Sequence, residues 1–171
     1  MLGALPGIDQ PSQKQFETRL LATMRRLDPA RPTFVEAESR KIGLVQVPEP
    51  LIDHMRAAPC IAIEATREAR IAFLLRDYAY LGDDVEALKD KIGAMKAVQS
   101  NETLAQWKAL ADVHDLKRLF GEFIDRHYDP LYQRSQNRNF AGFTNAPRYV
   151  TDDLSPPALD ALARQILLQT T

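Results

Sequence analysis

A chain of 171 residues, 45% of them hydrophobic and 26% charged, has the size and composition of one soluble globular domain with a real core. Lysine and arginine number 22 against 23 acids, a net charge of −1 that excludes nucleic-acid binding over the whole surface and leaves only a local patch for it. One cysteine excludes an internal disulfide, three scattered histidines argue against zinc, and no run of roughly 20 apolar residues is present to span a bilayer.

The opening, Met1 to Gly7, lacks a basic start and a long apolar run, so no secretory signal is expected and cytoplasm is the default location. Seven glycines are few for this length and tilt the composition towards helix. After a Gly- and Pro-containing loop, Ser12 caps a helix whose Phe16, Leu20, Leu21, Met24 and Leu27 recur at helical spacing, ending at Asp28-Pro29. Residues 33–36 read as a short strand behind Pro32. A short amphipathic helix over about 50–57 leads to 60–63, an apolar run expected to be a strand buried on both faces. From Thr66 the pattern is helical: one helix carries Ile71, Leu74 and Tyr78 and stops at Gly82, and three more begin near Asp84, Asn101 and Leu116. Beyond Asp129-Pro130 lies a loop with short helical potential. Arg148 to Val150 suit a last strand, and Ser155-Pro156-Pro157 opens a final helix. The expected fold is helix-rich α/β with two or three short parallel strands and a helical insertion. Residues 1–81 would be the α/β core, 82–146 the helical region, and 147–171 the last strand and helix.

No lysine is followed by Ser or Thr, so a phosphate loop of the form G-x-x-x-x-G-K-S/T is absent. Cys60 sits in the apolar strand run and reads as an inert core thiol. Four features hold chemistry to weigh. Glu36, Glu38, Ser39 and Arg40 follow a strand, where α/β sheets place ligands; they read either as a phosphate- or base-orienting edge or as a solvated turn. Arg67, Arg70 and Arg76 lie on one helix, either reaching for phosphate or forming its wet face. Residues 117–149 hold six basic residues against three acids, and seven of the 13 aromatic residues. That stretch either neutralises phosphates and stacks on unpaired bases, or buries its rings and solvates its arginines.

The wording of several segments resembles the tRNA 2-selenouridine synthases. Gly3-Ala4-Leu5-Pro6-Gly7 with Gln10-Pro11-Ser12 looks like the stretch after that family's phosphate loop. Glu36-Ala37-Glu38-Ser39-Arg40-Lys41-Ile42-Gly43 resembles its E-x-E-S-R-x-I-G signature, and Leu75-Arg76-Asp77-Tyr78 and His127-Tyr128-Asp129-Pro130-Leu131-Tyr132 are similar to further family segments. The resemblance implies a rhodanese-like domain with a catalytic cysteine followed by a P-loop domain. Together these convert wobble 2-thiouridine to 2-selenouridine through a geranylated intermediate, using geranyl diphosphate and selenophosphate as substrates, with no tightly bound cofactor. It implies that this chain is a C-terminal, incomplete P-loop NTPase-like part, with tRNA and a separate rhodanese or P-loop segment as partners. Cys60 matches no catalytic cysteine, and no residue here is assigned a catalytic role. In a P-loop sheet the missing first strand lies between the runs at 33–36 and 60–63, so a rearranged or weakly stable sheet is expected. Position and charge offer Glu36, Glu38, Ser39, Arg40, Arg70 and Arg76 for substrate or phosphate. They offer His127, Tyr128, Arg134 and Arg138 for RNA. The alternative is a non-catalytic RNA-binding module of a split enzyme; a small nucleotide kinase founders on the absent phosphate loop.

Overall fold

A computed structural model describes residues 9–37 and 40–170. Helix α1 spans Gln13–Met24 and starts in a capping box: Ser12 accepts from the Gln15 N–H, and the Gln15 side chain accepts from the Ser12 N–H. Strands β1 (Lys41–Ile42) and β2 (Val45–Gln46) form an antiparallel hairpin that turns at Gly43, whose φ of 60° suits glycine. Two glutamines hold that hairpin to α1. Gln10 accepts from the Leu44 N–H and donates to the Ile42 carbonyl, while Gln13 does the same for both backbone groups of Gln46. Helix α2 (Glu49–Ala57) then carries Pro50 in its first turn, where a missing N–H costs nothing.

Strand β3 (Ala62–Ala65) pairs in parallel with β4 (Arg148–Thr151), from Ala62 opposite Arg148 to Ala65 opposite Thr151. The regular structure between them is helical: α3 (Arg67–Asp77), α4 (Val85–Gly93), α5 (Asn101–Asp112), α6 (Leu116–Phe123), a π-helical turn (Ile124–Tyr128) and α7 (Asp129–Asn139), with turns over 140–147. Helix α8 (Pro156–Thr170) follows β4, and Tyr149 donates to Gln169 across the two at 2.6 Å. Thr66, Asp84, Ser100 and Asp115 each accept from a backbone N–H in the first turn of α3, α4, α5 and α6, contributing roughly 1 kcal/mol apiece.

The core lies within this helical body. Leu88, Ile92, Trp107, Leu119, Phe120, Phe123 and Ile124 are almost wholly shielded, and Trp107 meets Phe123 edge-on at 4.8 Å between ring centroids. The parallel pairing and the helical insertion agree with the sequence pattern. Three expectations do not hold. Residues 32–37 form no strand, because among the described residues the only strand paired with β3 is β4 and nothing offers 32–37 a ladder. Among the described residues the parallel sheet therefore has two strands, the lower of the two numbers expected, and Phe34 and Val35 are exposed. Nor is the sheet buried on both faces: Ile63 is 56% and Val150 69% accessible, on opposite faces of a two-stranded ladder too narrow to cover either. Finally, the stretch after Asp129-Pro130, expected to be a loop with only short helical potential, is the 11-residue helix α7.

Candidate nucleic-acid interface

Arg67 and Arg70 share a face of α3, as their spacing predicts, but that face meets carboxylates. Arg67 donates to both oxygens of Asp125 at 2.7 to 3.0 Å, and Arg70 donates to both oxygens of Asp129 at 2.9 and 2.5 Å. A pair three apart on α3 thus matches a pair four apart on the chain that runs from the π turn into α7. The hydrogen bonds from Arg67 hold the Asp125 carboxyl below its ordinary range, and the same contacts raise the Arg67 guanidinium. Gly121 makes room for this: a Cβ there would strike the Arg67 guanidinium. Arg76 stands apart, bonded to Asp77 and lying over the Phe73 ring at 5.1 Å.

Glu36 is exposed in the coil before the hairpin, while Glu38 and Ser39 lie outside the described residues. Arg40 opens the hairpin. Its guanidinium is 3.8 Å from Glu49, a loose contact, and borders an open cleft of about 480 Å³ between α1 and the hairpin, with Gln13, Glu17 and Gln46 on its walls.

His127 and Tyr128 belong to the π turn and face inward, each only 9% accessible. His127 stands edge-on to Trp107 and Tyr128, and burial lowers its pKa. Tyr128 is pushed up to about 12 by burial. The turn is held by Gln99, which sequence reading missed: its Nε2 donates to the Arg126 carbonyl at 3.0 Å and lies 3.2 Å from His127 Nδ1. Pro130, four residues on, has no N–H with which to give the Arg126 carbonyl an α-helical bond, and the Gln99 amide is the side-chain donor placed there. π turns of this kind recur at functional sites.

The basic stretch divides in two. Arg126 is occupied by Gln106, Glu122 and Thr103, and Arg148 by Glu64 and the Phe143 ring. Lys117, Arg118, Arg134 and Arg138 form no ion pair among the described residues. Its rings are spoken for as well. Phe120, Phe123, Tyr128, Phe140 and Tyr149 are buried, Tyr132 packs on the core, and Phe143 is half-buried under Arg148. Five of the seven rings are thus closed to bases, so the aromatic half of the expected RNA surface is mostly core.

No described helix is long and apolar enough to cross a membrane. Among curated proteins, the tRNA 2-selenouridine synthase of Marinobacter nauticus is 41% identical over 84% of this chain and 47% of its own length. Those of Cupriavidus necator (30%, 84% and 47%) and Alcanivorax borkumensis (29%, 80% and 45%) are similar to it as well. The chain thus spans about half the length of the curated relatives it matches. No solved structure matches it. The family described as the tRNA 2-selenouridine synthase AAA domain matches residues 2–100, well over half of the sequence, and the chain belongs to that family.

Proposed function

We propose that this chain is part of a transferase that converts wobble 2-thiouridine to 2-selenouridine in tRNA, through a geranylated intermediate and with selenophosphate, and that it contributes the tRNA contact. One observation carries the reading: Arg134 and Arg138 stand exposed on α7 without a carboxylate partner among the described residues, in a family whose named members act on tRNA. His127 and Tyr128 serve this surface indirectly, by shaping the turn from which α7 departs. Arg40, loosely held at the mouth of its cleft, is the best-placed cation for the phosphate of selenophosphate or geranyl diphosphate. Glu36, Glu38, Ser39 and Arg76 are lesser candidates for the same substrates.

In this reading the chain is one incomplete P-loop-like domain of a cytoplasmic enzyme, divided at about 1–81, 82–146 and 147–171. A separate rhodanese and P-loop segment covers the sheet faces at Ile63 and Val150 and supplies the chemistry. A second reading, a non-catalytic RNA-binding module of a split enzyme, draws support from the ion pairs that occupy Arg67 and Arg70.

The test is tRNA binding by the purified chain across a salt series. Saturable binding with a steep salt dependence, weakened about equally for any tRNA by R134A/R138A, supports the reading. Binding unchanged in that variant would refute it.

A further inference from the structure

From residue 130 to 151 the sequence contains no Asp or Glu, while Arg134, Arg138 and Arg148 fall within it. Arg148 is neutralised by Glu64, so the positive charge that remains is carried by α7. This helix buries none of its residues. Arg134 and Arg138 are four apart, which sets them on one face with roughly 5–6 Å between Cβ atoms. Gln133 and Asn137, also four apart and exposed, flank them with amide donors. The result is a stripe of cations and neutral donors with no acid and no aromatic ring.

That composition distinguishes two kinds of RNA contact. Unpaired bases are recognised by stacking on exposed rings, with hydrogen bonds to their splayed edges. Paired stems offer phosphates and 2′-hydroxyls in a regular row, and contacts to them position a protein without reading sequence. Residues 117–149 hold no fully exposed ring; among the described residues the exposed rings are Phe34, Tyr80 and the imidazoles of His54 and His114, all on other segments.

We propose that α7 docks on the sugar–phosphate backbone of a base-paired RNA stem, through Arg134 and Arg138 with Gln133 and Asn137. The unpaired loop holding the modified base is then contacted by other residues. This rests on the tRNA reading above and names which part of the RNA the surface takes.

The full chain is titrated by fluorescence anisotropy with four RNAs: a tRNA, a hairpin, a second hairpin with scrambled base pairs and a different loop, and an unpaired strand of equal length. The two hairpins should bind within about twofold of each other and the unpaired strand about tenfold more weakly. R134A/R138A should reduce the slope of log affinity against log salt by about 1 to 2 for both hairpins, since each lost phosphate contact removes about one counterion. R134K/R138K, which keeps both charges, should restore most of the binding. Preference for the unpaired strand, sensitivity to loop sequence, or an unchanged slope in the alanine variant overturns the proposal. If the chain binds tRNA yet favours the unpaired strand, only the stem assignment falls. If a folded chain binds none of the four, the tRNA reading falls with it.

Discussion

Arg70 on α3 and Asp129 at the head of α7 are joined by two parallel hydrogen bonds, 2.9 and 2.5 Å long. The fork of the guanidinium matches the carboxylate, and both side chains are partly shielded, 29% and 38% accessible. Such a pair orients α7 against the helical body and so fixes where Arg134 and Arg138 point. Its contribution should lie at or just above the upper end of exposed pairs, about 1 kcal/mol. In urea denaturation, Arg70→Ala and Asp129→Ala should each destabilise the chain, and the double variant should cost less than their sum by about that amount. Additive losses would show that the two residues act separately, and would leave Arg70 open to a phosphate.

The Gln99 amide donates to the Arg126 carbonyl, four residues before Pro130, which has no N–H for an α-helical bond to it. Gln99→Ala should therefore strand a polar group at the π turn, at a cost of roughly 1–3 kcal/mol if water does not replace the amide. The mechanism makes a sharper claim about a second substitution. Pro130→Ala returns an N–H four residues beyond Arg126, so the Gln99→Ala penalty should shrink in that background. An identical penalty in both backgrounds would assign the role of Gln99 to its contact with His127 instead.

How far the sequence discloses this arrangement depends on whether the signal is local. Helices α1 and α3 to α6 follow from apolar spacing and from caps written next to them, such as Ser12, Thr66, Asp84 and Ser100. The Asp129-Pro130 pair misleads, because proline inside a helical pattern ordinarily marks an end, whereas here it sits in the first turn of α7, where it is tolerated. Residues 33–36 mislead for a different reason: β-prone side chains make a strand only where a neighbour completes the ladder. At the candidate site the charges are visible in the sequence, but their availability is not. Arg67 and Arg70 look as free as Arg134 and Arg138 until the spacing of Asp125 and Asp129 is laid against theirs.

His127 gives the turn a pH dependence. Gln99 Nε2 lies 3.2 Å from His127 Nδ1 and can donate to it only while that nitrogen is unprotonated, and burial lowers the ring's pKa below 6.5. Below pH about 6.5 the unfolded chain takes up a proton that the folded chain refuses, so stability is full above that pH and declines as the solution is acidified. Asp125 acts in the same direction but lower, since its folded pKa is held beneath 3.8. Melting temperature should thus fall between pH 7 and pH 5, and His127→Asn, which does not titrate, should flatten that slope. A slope as steep in the variant as in the parent would place its origin elsewhere.

The sheet and the helical body should respond very differently to substitution. Ile63 and Val150 are each more than half exposed, so Ile63→Thr or Val150→Thr, which keep β-branching, should change stability by less than about 0.5 kcal/mol. Trp107 is wholly buried, and Trp107→Ala should cost about 3–5 kcal/mol by opening a cavity between α5 and α6. Trp107→Phe is the informative intermediate. The indole Nε1 is buried without a hydrogen-bond partner among the described residues, so removing it relieves an unpaired donor while leaving a smaller void. The loss should therefore be well below that of the alanine variant. If Ile63→Thr proved as damaging as a core truncation, the two faces of the β3–β4 sheet would have to be covered in solution, most directly by a second copy of the chain. Sedimentation of the parent chain across a concentration series would then reveal the dimer.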